Sequence, residues 1–257
     1  MLRGMIASCA LLVLAGCNQA PAVKRDLNGF LPLHHAVRDG DLATAEALLK
    51  KSGQANAPDG DGVYPLHRAA REGNVEMAKL LLRYHAQINQ PTKDGWTALQ
   101  IAVWYQQPEV AKLLLAEGAS NAPKTPEGMT AFHMACLKGG HELVDLMLLD
   151  WPGNVRPDVD APDGEGRMPL MLAIKGGDAL SAGKLLILGA KTSPVDKDGN
   201  TPLHLLVGRN MLPLVEDLIA RGADVNAVNG AGKTPYAVCV DKNDPLMAQL
   251  LQQHGGQ

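Results

Sequence analysis

A repeat of 33 residues is the feature of this sequence that most constrains its fold. A glycine opens each unit, and the intervals between successive opening glycines are 33, 33, 33, 38, 33 and 33 residues. A unit this short cannot bury an apolar face alone, so its copies must stack on one another. The opening glycines are Gly29, Gly62, Gly95, Gly128, Gly166, Gly199 and Gly232.

A variant of Thr-Pro-Leu-His follows the opening glycines. Proline suits a first helical turn because its missing N–H has no partner there. The clearest copies are Leu31-Pro32-Leu33-His34, Tyr64-Pro65-Leu66-His67, Thr130-Ala131-Phe132-His133 and Thr201-Pro202-Leu203-His204. This pattern resembles the ankyrin repeat over residues 28–257. The resemblance implies an all-α repeat solenoid of about seven repeats, each a helix-turn-helix with a β-hairpin loop, and with the first and last repeats as caps.

The turn between the two helices of a unit falls eleven residues after the opening glycine. Four units place a glycine there, at positions 40, 73, 139 and 177, where a left-handed backbone is expected. Asn210 also tolerates that conformation, whereas Gln106 is a poorer choice. We therefore expect backbone strain in repeat three.

One interval carries five extra residues, around 151–157. Insertions in repeat proteins map to loops and are often functional. The sequence leaves open whether this segment is a binding element or a tolerated surface bulge.

Residues 1–16 have the character of a lipoprotein signal peptide. Arg3 supplies the positive start, and the apolar run of residues 5–14 is too short to span a bilayer. The run ends in Leu14-Ala15-Gly16-Cys17, which resembles a bacterial lipobox and implies lipidation of Cys17. An ordinary secretory signal, with an incidental cysteine, is the alternative. Residues 17–27 then form a tether, and Asn18 favours the periplasmic side of the outer membrane.

The composition and motifs point away from catalysis, metal and nucleic acid. The formal net charge is −3 and the basic residues are scattered, so no nucleic-acid surface is expected. The histidines of the motif have a structural role in the family, and the other four are spread over distant repeats. Cys136 and Cys239 lie three repeats apart, too far for a disulfide, and are expected to be free and buried. We expect neither an enzyme nor a cofactor.

Partners of ankyrin arrays usually lie on the concave face, and the resemblance leaves positions one, six, nine and ten after each opening glycine free for them. Repeat three holds three of the chain's nine aromatic residues at such positions. Aromatic residues and arginine often dominate protein interfaces. Packing of Trp104 and Tyr105 on adjacent inner helices is the alternative. The predicted partner-binding residues are Phe30, Arg68, Arg71, Trp96, Trp104, Tyr105, Met129 and Met134.

These observations predict a monomeric, membrane-tethered module in the periplasm that binds one protein partner. An immunity protein that occludes a secreted antibacterial effector is the preferred hypothesis. The alternative is an envelope scaffold or stress protein that holds a resident enzyme, for example a catalase, near the membrane. A hydrolase would need clustered titratable residues in a cleft, and the sequence offers none.

Overall fold

The computed structural model describes residues 31–52, 54–149 and 156–257. This part of the chain forms a regular series of short α-helices, with one 3-10 turn at Gln54–Asn56. The helices are α1 Pro32–Arg38, α2 Leu42–Ser52, α3 Pro65–Glu72, α4 Val75–Arg83, α5 Ala98–Trp104, α6 Pro108–Ala116, α7 Ala131–Lys138, α8 His141–Leu148, α9 Pro169–Gly176, α10 Ala179–Ile187, α11 Pro202–Leu206, α12 Leu212–Ala220, α13 Pro235–Lys242 and α14 Pro245–Gln253.

The helices form two layers, which confirms the predicted all-α repeat solenoid. Odd-numbered helices, here called inner helices, pack side by side from α1 to α13, and the even-numbered outer helices pack on their own neighbours and on the inner helix of the same repeat. One continuous core of leucine, alanine and methionine side chains fills the space between the layers. Each repeat therefore buries its apolar surface against the repeats beside it, as the 33-residue period requires.

The turn between inner and outer helix has the predicted left-handed backbone. The φ angles are 69° at Gly73 and 80° at Gly177, and Gln106 adopts 55° in repeat three. A side chain in this region costs energy because Cβ crowds the backbone. Gln106 Nε2 donates a hydrogen bond to the carbonyl of Lys138 at 3.0 Å. The expected strain is therefore present, and the glutamine side chain ties repeat three to repeat four.

The loops between repeats are tight turns, and no residue that the structure describes is in a β-strand. In repeat three the Thr92 N–H donates to the Trp96 carbonyl at 2.8 Å, and the equivalent bond in repeat two joins Asp59 to Val63 at 2.9 Å. These turns project from the N-terminal ends of the inner helices. They place Trp96 and its counterparts at one margin of the inner-helix layer.

The motif histidines hold successive repeats together. His67 Nε2 donates to the Gln90 carbonyl at 2.9 Å, while Nδ1 accepts the Tyr64 N–H at 3.1 Å. His133 and His204 make the same kind of bond to the next repeat. Burial lowers the pKa of His67 to about 4, against the opposing effect of the hydrogen bond to Gln90, and burial also lowers the pKa values of His133 and His204. These rings are thus neutral at pH 7 and structural, as the resemblance implied.

Cys136 and Cys239 are buried and free, as predicted. Burial raises the pKa of the Cys136 thiol, and it raises that of Cys239 to about 11. Within the described ranges, none of the helices has the length and apolar character needed to cross a membrane. Cys17 and the rest of the predicted signal peptide and tether lie outside the described residues.

Candidate functional site

Five of the predicted partner-binding residues line one groove of about 420 Å³. The groove lies between repeats two and three, where the turns before α3 and α5 meet the exposed side of these two inner helices. We refer to this cavity as the groove. Its lining residues are Asp61, Val63, His67, Arg68, Arg71, Thr92, Asp94, Trp96, Ile101, Trp104 and Tyr105.

The aromatic residues of repeat three form one side of the groove. The rings of Trp96, from the turn, and Trp104, the last residue of α5, meet edge to face with centroids 5.5 Å apart and an interplanar angle of 87°. Both tryptophans are half-buried and pack against the core, whereas Tyr105 is 45% exposed. The two tryptophans therefore pack against the core and also line the groove, while Tyr105 is mainly a surface residue.

Cations lie over the faces of two of these rings. The Arg71 guanidinium carbon is 5.0 Å from the centroid of the Tyr105 ring, and Lys138 Nζ is 4.4 Å from the centroid of the Trp104 ring. The face of an aromatic ring carries partial negative charge, so both contacts are attractive. Repeats two and four thus each contribute one cation to the aromatic cluster of repeat three.

Arg68 is held by the turn that precedes its own helix. Its Nη2 lies 2.6 Å from Oδ2 of Asp59, whose side chain is 0% exposed. Asp59 Oδ1 also accepts the N–H groups of Val63 and Asp61 at 2.9 and 3.0 Å. Burial alone would raise the pKa of Asp59, but the bond to Arg68 and the backbone amides outweigh it, and the pKa is lowered. Arg68 therefore fixes the turn as well as lining the groove.

Met129 and Met134 do not form part of the groove. They are 8% and 1% exposed and belong to the core, so the expectation that they present a surface to a partner is wrong. Near the C-terminal end of α7, the next inner helix comes unusually close, at Gly176. A Cβ atom there would lie 2.4 Å from the Leu137 carbonyl oxygen and 2.9 Å from that of Cys136. This close approach of α9 to α7 accompanies the burial of Met134 at the sixth position, which is half-buried at Arg68 and Ile101 in repeats two and three.

Phe30 and residues 151–155 of the insertion lie outside the described residues. Arg156 and Pro157, at the end of the insertion, line a separate cavity of about 360 Å³ with residues of repeat four. The insertion is thus not connected to the groove through the residues that the structure describes.

Four groove residues were not among the predicted binding positions: Asp61, His67, Thr92 and Asp94. Asp61 and Asp94 each directly precede an opening glycine. This shared register, at the tip of the turn, is the signal that would have identified them. They give the turn side of the groove an acidic character that the predicted residues lack.

The groove is suited to binding. His67, the one histidine among its lining residues, is buried and engaged in the repeat-to-repeat bond to Gln90. In the part of the chain that the structure describes, no group of three or more His, Cys, Asp or Glu side chains is arranged to hold a metal ion. What the groove offers instead is apolar ring surface with charged residues at both margins, which is the character of a protein-binding hot spot.

Comparisons with known proteins agree with the repeat fold. The family model for ankyrin repeats in three copies matches residues 33–125 and 170–257, and the model for a single ankyrin repeat matches residues 127–164. Among solved structures, the ankyrin repeat domain of Bcl-3, described as a unique member of the IkappaB protein family, is similar to this chain with a TM-score of 0.71. The two are 29% identical, over 88% of this chain and 99% of that one. A search of curated proteins gave no match.

Proposed function

The chain belongs to the ankyrin-repeat family and is a protein-interaction module, and we propose that it binds one protein partner through the groove. The observation that carries this proposal is the meeting of Arg68, Arg71, Trp96, Trp104 and Tyr105 around a single cavity. Repeat proteins use the exposed side of their stacked units for binding.

The groove has the properties that make a small part of an interface dominate its affinity. The two tryptophans are held rigidly because they pack on the core, so binding costs little side-chain entropy. Tyr105 and Arg71 remain exposed beside them. An apolar side chain of a partner would therefore meet ring surface that is already in place.

At the level of biological role, we propose that the module is an immunity protein that occludes a secreted antibacterial effector on the periplasmic side of the outer membrane. The lipobox-like residues that end in Cys17 support export and tethering. A rigid, enzymatically inert surface close to the membrane suits an inhibitor of an effector that acts in the periplasm.

The binding proposal is tested by capture of envelope proteins on the full chain carrying Cys17→Ser, followed by measurement of affinity for the purified partner. Tyr105→Ala removes an exposed groove residue, and Ile187→Ala, which removes a 75% exposed side chain from outer helix α10, is the matched control. Truncation of a central interface residue costs about 2 kcal/mol, or about 30-fold in Kd. We expect that loss with Tyr105→Ala alone. Equal affinity of both variants would refute the groove as the binding site.

The inhibitor proposal is tested on the activity of the captured protein. We expect an enzyme that damages the cell envelope, and we expect its activity to be abolished at equimolar amounts of this chain. A resident enzyme that keeps its full activity in the complex would contradict the immunity role and indicate a scaffold.

The tether has a separate test. Mass spectrometry of the mature chain should find Cys17 at its N-terminus with a diacylglyceryl group, and Cys17→Ser should abolish both the lipid and the cleavage before residue 17. A mature chain that begins elsewhere and lacks lipid would refute the anchor and leave the binding proposal standing.

A further inference from the structure

The cations over the aromatic rings decide which charge a partner can bring to the groove. Lys138 covers Trp104 and Arg71 covers Tyr105, at 4.4 and 5.0 Å from the ring centroids. A lysine or arginine of a partner would find one face of each ring already occupied by like charge. A carboxylate placed above the same cluster would gain attraction from both cations. The arrangement therefore selects against cationic ligands and for anionic ones.

The two cations belong to a longer row. Six of the seven repeats carry arginine or lysine nine or ten residues after the opening glycine, in or just after the last turn of the inner helix. Because the inner helices pack side by side, equivalent positions lie along one margin of the inner-helix layer. The members of this row, here called the basic row, are Arg38, Arg71, Lys138, Lys175, Arg209 and Lys242.

Counted at its own two positions, the basic row has fewest acidic residues in repeats four to six, although the following repeat brings Asp178 beside Gly139 and Asp244 Oδ2 to 2.7 Å from the Gly208 nitrogen. Asp39, Glu72 and Asp241 accompany it in repeats one, two and seven, whereas repeats four to six have no acidic residue at these two positions. Arg209 donates a hydrogen bond from Nη1 to the Lys175 carbonyl at 2.9 Å, which ties neighbouring members together. In a chain whose formal net charge is −3, this is a local positive margin that begins at the groove.

Helix capping accounts for only part of the row. Basic residues near a helix C-terminus stabilise its dipole, and this effect acts on inner and outer helices alike. Outer helices α2, α4 and α10 also carry a basic residue in their last turn, and Arg221 directly follows α12, whereas α6, α8 and α14 have no lysine or arginine there. The inner layer carries such residues more regularly, in six of seven repeats, and there they lie on the layer that carries the groove.

The opposite margin of the groove is acidic. Asp61 and Asp94 line it at the turn tips. A bound segment is therefore oriented, because its negative charges are repelled by the turns and attracted by the helix ends.

Building on the proposed function, we infer that the partner presents an acidic segment with one large apolar side chain. That side chain enters the groove against Trp96 and Trp104, and the carboxylates beside it lie along Lys138, Lys175 and Arg209. The aromatic cluster supplies the anchor, and the basic row sets the direction and the charge preference.

The test uses two synthetic 12-residue peptides, each with one central phenylalanine, flanked by glutamates in one peptide and by lysines in the other. The full chain carries Cys17→Ser and Trp151→Phe, so that Trp96 and Trp104 are its only tryptophans. We expect saturable change of their fluorescence with the glutamate peptide at low salt, weaker binding as salt increases, and at least about tenfold weaker binding of the lysine peptide.

Charge reversal provides the decisive comparison. Lys138→Glu combined with Lys175→Glu should weaken binding of the glutamate peptide by at least about tenfold and strengthen binding of the lysine peptide. Unfolding of the variant could not produce such a gain in affinity. The control is Lys79→Glu with Lys112→Glu, the same change of net charge on outer helices α4 and α6. Equal binding of both peptides, equal effects of the two double variants, or no binding of either peptide would overturn the inference.

The purified partner separates this inference from the proposed function. If its binding depends on Tyr105 but not on Lys138 and Lys175, the acidic-segment inference is wrong and the groove stands as the binding site. If its binding depends on none of the three residues, the groove is not the site and both proposals fail.

Discussion

Acidification should weaken the solenoid through His67, and the effect has a definite pH window. The pKa of this ring is lowered from 6.5 to about 4, chiefly by burial. The unfolded chain therefore binds a proton as the pH falls through 6.5, while the folded chain does not until about pH 4. The unfolding free energy is therefore not reduced by His67 above pH 6.5, and it falls progressively as the pH is lowered from 6.5 to about 4.

The size of the effect follows from the two pKa values. At pH 5 the loss of unfolding free energy from His67 alone is about 2 kcal/mol, and at pH 4 it approaches about 3 kcal/mol. His133 and His204 are shifted in the same direction, so the wild type loses more than this in total. Asp59, whose pKa is lowered, loses its contribution as the pH falls below the ordinary value of 3.8, outside this window.

Repeat three supplies the matched variant, because it uses glutamine at the histidine position. Gln100 Oε1 accepts the Thr97 N–H at 2.8 Å and its Nε2 donates to the Pro123 carbonyl at 3.0 Å, which are the two bonds that His67 makes in repeat two. Urea unfolding of the wild type and His67→Gln, followed by circular dichroism at pH 7.5 and pH 5, measures the difference. We expect the wild type to lose about 2 kcal/mol more than the variant. Equal losses would show that His67 is not kept neutral by the fold.

Three further predictions concern stability and reactivity. Gly176→Ala should lower the unfolding free energy by about 2 kcal/mol in urea titrations, because the new Cβ would clash with backbone carbonyls of α7. Gly183, a glycine within α10, has nothing within 4 Å of the position of a Cβ, so Gly183→Ala should raise the unfolding free energy by about 0.5–1 kcal/mol. Gln106→Gly should raise the thermal midpoint, with a gain of about 0.5 kcal/mol after loss of the side-chain bond to repeat four; a lower midpoint would mean that this bond outweighs the strain. Cys136 and Cys239 should react with a thiol reagent only in denaturant, and rapid labelling of the native chain would contradict their burial.

The repeat architecture could be predicted from the sequence because it follows from local chemistry repeated at a fixed interval. Proline begins α1, α3, α9, α11 and α13, and the residue eleven places after each opening glycine has a positive φ from Gly40 to Asn243. The unfavourable glutamine at position 106 could also be predicted. The repeat requires a left-handed backbone at this position, whichever residue occupies it. These features need no knowledge of the neighbouring repeat.

The groove was predictable only in part, because exposure on the inner helices depends on the spacing between repeats. The sixth position after the opening glycine is half-buried at Arg68 and Ile101 but almost fully buried at Met134 and Leu172. Register assigns all four to the same face and cannot distinguish them. The distinction arises where a neighbouring residue allows close approach, as Gly176 does.

The same reasoning explains why the groove lies between repeats two and three. At the tenth position after the opening glycine, repeats two, three and four carry Glu72, Tyr105 and Lys138, whereas repeat five carries Gly176. Large side chains at the helix ends provide surface for a ligand, and the glycine lets α9 close on α7. The inner-helix layer is therefore open at one pair of repeats and closed at another. We propose that the affinity for a partner is concentrated where the aromatic residues meet the open pair of repeats. The basic row extends from there across the closed pair.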